Sequence, residues 1–277
     1  MNFTRADKVK AFRALHNEPG LFIMPNPWDV GSIRIFENFG FQALATTSTG
    51  MAFSLGLADG AVSPKLVLNH CRTLANATAL PLSADLEKGF GDDPQSVYDT
   101  ILAAADVGLA GGSIEDHTGD PNNPIFEEAL AVERVAAAVE ASNAIEGAFV
   151  LTARCENLLW DRPNLDDVIR RLTAYEAVGA EVVYAPALRD LEQITELCTA
   201  LNAPVNVVME QAGTPYSVEQ LTAAGVKRIS VGGAPAQLAY GSVARAAKEM
   251  ANQKTFTFTQ DAMDFYELEA LIKGNNS

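Results

Sequence analysis

Cysteine and histidine are scarce in this chain, with three of each in 277 residues. Cys71, Cys155 and Cys198 are widely spaced and odd in number, which argues against a disulfide framework or a zinc cluster and suits a reducing interior. No apolar run approaches membrane-spanning length. The first twenty residues scatter Arg5, Lys8, Lys10 and Arg13 among apolar positions and lack the apolar stretch of a signal peptide. A cytoplasmic protein is the expectation. Basic residues are also in deficit: 20 Lys and Arg face 35 Asp and Glu, a net charge of -15. Such a balance repels a phosphate backbone and an anionic bilayer, so nucleic acid and membrane are both poor partners. No low-complexity linker or sequence repeat stands out, and 48% hydrophobic content over this length can bury one large core.

Strand-like and helix-like segments alternate throughout. Short apolar runs begin near residues 21, 43, 80, 111, 148, 181, 204 and 228, and longer segments with helical spacing lie between them, several closing on Gly as a helix C-cap would. Alternation of this kind forces parallel strands with right-handed crossovers, and eight strands are the count that closes a sheet into a barrel. A (β/α)8 TIM-type barrel over residues 1–250 is therefore predicted. An open doubly wound sheet is the alternative, but its GxGxxG turn is missing, because the first turn reads PNPWDVGS. Residues 251–277 have no partner strand. Their Met263, Phe265, Tyr266, Leu268, Leu271 and Ile272 need a surface to cover, either on the barrel or on a neighbouring subunit.

Barrel chemistry sits at the C-terminal strand ends, which directs attention to the polar residues there. PLSADLEKGFGDD, from residue 81, begins as a buried strand and breaks into acids. Asp85 and Glu87, spaced i, i+2 on an extended chain, face one side, and Glu115 closes the next strand. Strands about 5 Å apart let the three carboxylates converge. Their repulsion and desolvation would cost several kcal/mol without a cation. All-oxygen ligands favour Mg²⁺, with Mn²⁺ in its place as the variant. Thr47, Ser48 and Thr49 in ATTSTG offer hydroxyls and nearby amides to an anion, and Arg154 in TAR can hold a carboxylate in a fork. Taken singly, each of these is equally readable as a solvated loop residue, a helix cap, an ordinary turn or a structural ion-pair partner. Asn206, in the seventh apolar run, is a further substrate-binding candidate, and His117, two positions past Glu115, a catalytic one. Cys155 points away from Arg154 and packs. SVGGAPAQ after the eighth strand reads as a phosphate-binding turn or simply a tight strand-to-helix turn.

PNPWDVGSIRIFENFGFQALATTSTGMAFSLGLADG, SADLEKGFGD, GGSIED and LTARCEN, in that order, resemble the isocitrate lyase and phosphoenolpyruvate mutase superfamily over nearly the whole chain. The resemblance implies a barrel whose final helix is exchanged between subunits of a dimer or tetramer, with Mg²⁺ and a pyruvate-like enolate. It implies that Asp85 is the direct metal ligand, that Glu87 stands where many members carry aspartate, and that Glu115 holds metal-bound water. It places Arg154 on the substrate carboxylate, Thr47 to Thr49 on the anchoring turn, Asp59 on the gating loop, and Trp28 and Asp29 on the first loop. Two departures narrow the activity. The lyases' Lys-Lys/Arg-Cys-Gly-His segment is DHTGDPNNPIFEE here, without the thiol that protonates the leaving carbanion. The same segment carries Asp116 and Asp120, which would repel a phosphonate dianion, although Asn122 and Asn123 are available. A lyase or hydrolase of a four- or five-carbon oxo-diacid is expected first, a phosphonate enzyme second. A barrel that binds an oxo acid without turnover is the alternative of another class.

Overall fold

The computed structural model describes residues 3–188, 190–210 and 216–274. Along the chain run α1 (Arg5–Asn17), β1 (Phe22–Met24), α2 (Val30–Asn38), β2 (Leu44–Ala45), α3 (Ser48–Ser54), α4 (Pro64–Ala77), β3 (Leu82–Asp85), α5 (Pro94–Asp106) and β4 (Gly111–Glu115). They continue with α6 (Glu128–Ala144), β5 (Val150–Arg154), α7 (Leu165–Ala177), β6 (Val182–Tyr184), α8 (Leu191–Ala200), β7 (Val205–Val208), α9 (Val218–Ala223), β8 (Arg228–Ser230), α10 (Ala234–Asn252) and α11 (Phe265–Lys273). All eight strands lie inside the apolar runs read from the sequence. They pair in parallel in the order β1-β8-β7-β6-β5-β4-β3-β2, the predicted (β/α)8 barrel.

Between β1 and β2 there is no ladder. A single backbone bond, Ala45 N to Pro25 O at 3.1 Å, and the buried Asn26 amide cross the seam. Asn26 donates to Thr46 O at 3.0 Å, while its Oδ1 accepts from the Val231 and Gly232 amides at 2.9 Å each.

Strands buried on both faces read as continuous apolar runs, which explains why so short a set was legible. One core lies between the strands and the surrounding helices, built from residues such as Ile33, Leu82, Ile101, Phe149, Leu172 and Val183. A smaller one plugs the N-terminal end of the barrel, where α1 inserts Val9 and Phe12 against Phe22, Met24, Val150 and Val182. Gly111 and Gly112 open β4 because nothing larger fits: a Cβ on Gly111 would lie 2.6 Å from Val150 O and 2.9 Å from Phe12, and one on Gly112 2.7 Å from Leu86.

The same plug holds an arginine. Arg228, 3% exposed, donates to Asn206 Oδ1 (2.8 Å), His16 Nε2 (3.2 Å) and Thr152 Oγ1 (3.1 Å), and no carboxylate pairs with it among the described residues.

The last barrel helix departs from the pattern. Of the 19 residues of α10 only Ala236 is buried, so the helix leaves the barrel rather than covering it. Beyond it the C-terminal arm lies on its own chain's α2, with Asn38 Nδ2 donating to Leu271 O at 2.6 Å and Ile272 beside Gly31. Leu238, Val243, Phe256, Phe265 and Tyr266 are all more than 60% exposed. No described helix is long and apolar enough to cross a membrane.

Candidate active site

Three adjacent strands deliver the central charges. β3 ends at Asp85, β4 at Glu115 and β5 at Arg154, with Glu115 and Arg154 directly paired in register. Arg154 Nη1 lies 3.8 Å from Asp85 Oδ2, and its Nε 3.5 Å from Glu115 Oε2. The predicted convergence of Asp85, Glu115 and Arg154 on one rim is what the geometry has.

Sequence reasoning missed what holds Arg154 in place. Glu156 accepts from Nε and, at 3.3 Å, from Nη2. It is itself fixed through its backbone amide, which donates to Asp116 Oδ1 at 2.7 Å. Asp116 in turn accepts from Tyr175 Oη (2.7 Å) and Arg171 Nη1 (3.4 Å). The expected role of Asp116 therefore changes: it is 3% exposed, turned away from the mouth, and does not face a ligand. The fork expected for substrate is also partly taken, since the Nε edge of Arg154 grips Glu156 and leaves the Nη1 edge for a ligand. The signal for Glu156 was its i, i+2 spacing from Arg154. Tyr184 supports the guanidinium from below, its ring centroid 5.1 Å from Cζ. Burial alone would lower the pKa of Arg154, but Glu156, Glu115 and Asp85 raise it well above the ordinary value.

Glu87 differs from expectation. The strand stops at Asp85, and Glu87 sits in the left-handed region (φ 51°), so the extended i, i+2 reading fails. The turn nevertheless returns it to the cavity: its amide donates to Asp85 Oδ1 at 3.2 Å, and its carboxyl lines the same space as Asp85 and Glu115. Burial first, then Asp85 and Asp59, push its pKa up to about 7. Glu115 is raised well above the carboxylate range, chiefly by burial. Crowded acids raised in this way mark a place where a cation would be stabilising.

Among the described residues no three His, Cys, Asp or Glu side chains form a ready ligand shell. The donors fit a hard ion held by few protein oxygens, with water completing its octahedron, which is the habit of Mg²⁺.

The hydroxyls of Thr47, Ser48 and Thr49 are more committed than expected. Thr47 Oγ1 caps α3 by accepting from Gly50 N (3.2 Å), Ser48 Oγ donates to Asp85 Oδ2 (3.1 Å) and Thr49 Oγ1 to Asp59 Oδ2 (2.7 Å). All three residues line an upper cavity of about 260 Å³ together with Asp59, Asp85 and Arg154. Asn206 borders a deeper pocket of about 60 Å³, but both ends of its amide are spent, on Arg228 and on Ser230 Oγ at 3.0 Å. Trp28 lines none of these spaces; its Cβ packs against Gly50, where a side chain would clash at 2.8 Å. Asp29 caps α2 through Ser32 N (2.7 Å).

Beside the three acids a cavity of about 620 Å³ is lined by Asp59, Asp85, Glu87, Lys88, Glu115, His117 and Trp160. His117 stacks on Trp160 (centroids 4.3 Å apart) with Nδ1 3.8 Å from Glu115 Oε1, while its Nε2 is buried without a partner among the described residues. Burial, Lys88 and Arg154 lower its pKa. The 117–125 segment is stitched to itself: His117 bridges Ile125, and Thr118 N donates to Pro124 O (2.8 Å). Lys88 Nζ donates to Thr118 O (2.6 Å), so the cation this segment lacks in sequence comes from the preceding loop. Cys155 is fully buried, as expected.

The Gly-Gly turn after β8 carries an internal anion. Glu210 Oε1 accepts from Gly233 N at 2.8 Å, and Gly232 (φ 52°) leaves room for that carboxylate, which a Cβ would meet at 2.4 Å. The phosphate-turn reading is therefore replaced by a glutamate seat.

Residues 12–251 match the family described as phosphoenolpyruvate phosphomutase. The fold superposes on a Burkholderia cenocepacia J2315 protein given as a candidate lyase/mutase, with 51% identity, a TM-score of 0.93 and coverage of 96% of this chain and 95% of that one. It superposes on oxaloacetate acetylhydrolase in complex with oxalate with 25% identity, a TM-score of 0.85 and coverage of 96% and 94%. In sequence, 2-methylisocitrate lyase of Escherichia coli (strain K12) is 30% identical over 227 residues, which is 78% of this chain and 75% of that protein. Matched over most of its length by the family and by its barrel, the chain belongs to the phosphoenolpyruvate mutase family of the isocitrate lyase superfamily.

Proposed function

We propose that this protein is a Mg²⁺-dependent enzyme that breaks a carbon–carbon bond of a small α-oxo acid through a pyruvate-type enolate. The observation that carries the reading is the meeting of Asp85, Glu115 and Arg154 at one rim, within 3.8 Å of one another through the guanidinium. Relatives named as a lyase and as a hydrolase of this kind support it. Asp85 would hold the cation, with Glu87 and Glu115 behind it. Bound there, Mg²⁺ supplies a Lewis acid for the 2-oxo group and for the charge that develops as the bond breaks.

The chain's own residues do the rest. Arg154, fixed by Glu156, presents its Nη1 edge to the substrate carboxylate and sets the scissile bond across the enolate plane. His117 Nδ1, beside Glu115, is the titratable group placed to deliver a proton to the enolate carbon that keeps the electron pair of the broken bond, since the segment has no thiol for that task. The Asp59 segment, tied to Thr49, closes the mouth and limits water. A copy of the chain covers the exposed faces of α10 and the C-terminal arm, giving a homodimer or tetramer in which α10, the final barrel helix, is exchanged.

A phosphonate enzyme is the second reading. It is favoured by Lys88, which lines the metal-side cavity next to Gly119, and by the burial of Asp116, which removes one of the two charges expected to repel a dianion. Incubation with and without Mg²⁺ of oxaloacetate, oxoglutarate, 2-methylisocitrate, dimethylmalate and phosphonopyruvate, following pyruvate and glyoxylate, separates the two. Turnover of phosphonopyruvate alone would replace the first reading by the second.

A further inference from the structure

The middle of the barrel is polar where this fold is ordinarily apolar. Bulky branched side chains fill the interior of most (β/α)8 barrels, but here a cavity of about 60 Å³ lies beneath the rim, bordered by Ser83, Ser113, Asn206 and Ser230. Ser230 Oγ accepts from Asn206. The hydroxyls of Ser83 and Ser113 make no hydrogen bond among the described residues, so both can donate into that space.

Arg228 forms part of the same wall. Of its five N–H donors, three go to neutral acceptors: Asn206 Oδ1, His16 Nε2 and Thr152 Oγ1. Two donors and the whole positive charge are left over. Nothing outside the described residues can supply the missing counter-charge, because none of those positions is Asp or Glu. Burial lowers the pKa of Arg228 to about 9, with Tyr184 acting the other way, and the guanidinium is still charged at neutral pH.

A fully buried cation without a counter-charge is a costly element of a fold, and an anion beside it removes much of that cost. Two arginines, Arg228 from below and Arg154 from the rim, border the cavity against one carboxylate, Asp85. Asp85 is already engaged by Arg154 and by the Ser48 hydroxyl. The surplus is positive. Volume decides the kind of anion: about 60 Å³ is room for roughly two waters. One halide with one water matches that space, whereas sulfate, phosphate or an oxo acid exceeds it.

We propose that the barrel interior binds one small monovalent anion of the halide class, chloride above all, between the Arg228 guanidinium and the hydroxyls of Ser83 and Ser113. It serves as a structural counter-ion beneath the rim, and the assignment does not depend on the reaction proposed above.

The test uses the full chain dialysed into sodium gluconate, whose anion is too large for the cavity. Chloride or bromide then replaces gluconate at constant ionic strength. Tm should rise saturably, by about 2–4 °C at about ten times the half-saturating concentration. Crystals soaked in bromide should give an anomalous peak within hydrogen-bond distance of Arg228. Ser113→Val places a β-branched residue in a strand and fills the cavity, so it should abolish both the peak and the shift while circular dichroism stays native. Ser83→Ala removes one donor without adding bulk and should raise the half-saturating concentration roughly three- to tenfold; it decides the matter if the valine variant does not fold. Absence of a halide-specific shift overturns the proposal. A bromide peak without a saturable shift means binding at crystal concentration only and overturns it as well. So does a peak beside Arg154 in the upper cavity, or a shift that survives these substitutions, since either places the anion elsewhere.

Discussion

His16 provides a stability prediction whose size follows from its surroundings. Its Nδ1 lies 2.8 Å from Phe12 O, an acceptor only, so Nδ1 carries the proton and Nε2 accepts from Arg228. A second proton on Nε2 would break that bond and set a positive charge against a buried guanidinium. Burial first, then Arg228, drive the pKa of His16 down to about 3. The folded imidazole thus stays neutral at pH 5, whereas in the unfolded chain, with an ordinary value near 6.5, about a quarter is protonated at pH 7 and nearly all at pH 5. Because the unfolded state binds more protons across this window, the contribution of His16 is present above the unfolded pKa and is lost as pH falls. Between pH 7 and pH 5 the loss is about 2 kcal/mol. Other buried groups titrate too, so the quantity to measure is a difference. His16→Gln keeps an acceptor for Arg228 but cannot titrate. Urea unfolding of both proteins at pH 7, 6 and 5, extrapolated to water, should show the wild-type advantage shrinking by about 2 kcal/mol over that range. A difference that holds steady within about 0.5 kcal/mol would refute the tautomer and the pairing from which it was derived.

Asp85→Ala should abolish both turnover and any response of the thermal melt to Mg²⁺ while the circular dichroism stays native; retained activity would place the site elsewhere. Arg154→Lys exchanges a planar fork for a single ammonium and loses a charge-assisted contact of about 1.5–3 kcal/mol, lowering kcat/KM roughly ten- to a hundredfold in steady-state assays. Chains ending after Asn252 should lose the oligomer, seen as a fall to monomer mass by light scattering with the barrel's far-UV signal intact, whereas an unchanged mass would show that the arm is not what joins the subunits.

The strands and their order were legible because each is buried on both faces and bounded by turn residues. The charges at their tips followed from the rule that barrels present chemistry there. What failed was local conformation beyond the strand end and the choice of partner. Nothing in LEKG announces that Glu87 turns left-handed after Asp85, although the following GFG hints at an irregular path. The hydroxyls of Ser48 and Thr49 looked free for a ligand because Asp85 and Asp59, which claim them, lie 37 and 10 residues away. Asp116 and Glu115, adjacent in sequence, point to opposite sides of the strand and have unrelated roles, as the period of two requires. Glu210 escaped notice because its partner, the Gly233 amide, is 23 residues further on and a backbone donor has no sequence signature.

The unladdered joint between the first and second strands is the weak seam of the barrel. Asp85, Glu115 and Arg154 sit on consecutive, fully zipped staves and keep their spacing whatever happens across the gap. Ser48 and Thr49 follow the strand on one side of that gap, while Asn26 follows the strand on the other. Asn26 is the clasp across the slit, and removing its side chain would leave the Val231 and Gly232 amides without their acceptor and free the turn that carries Ser48 and Thr49.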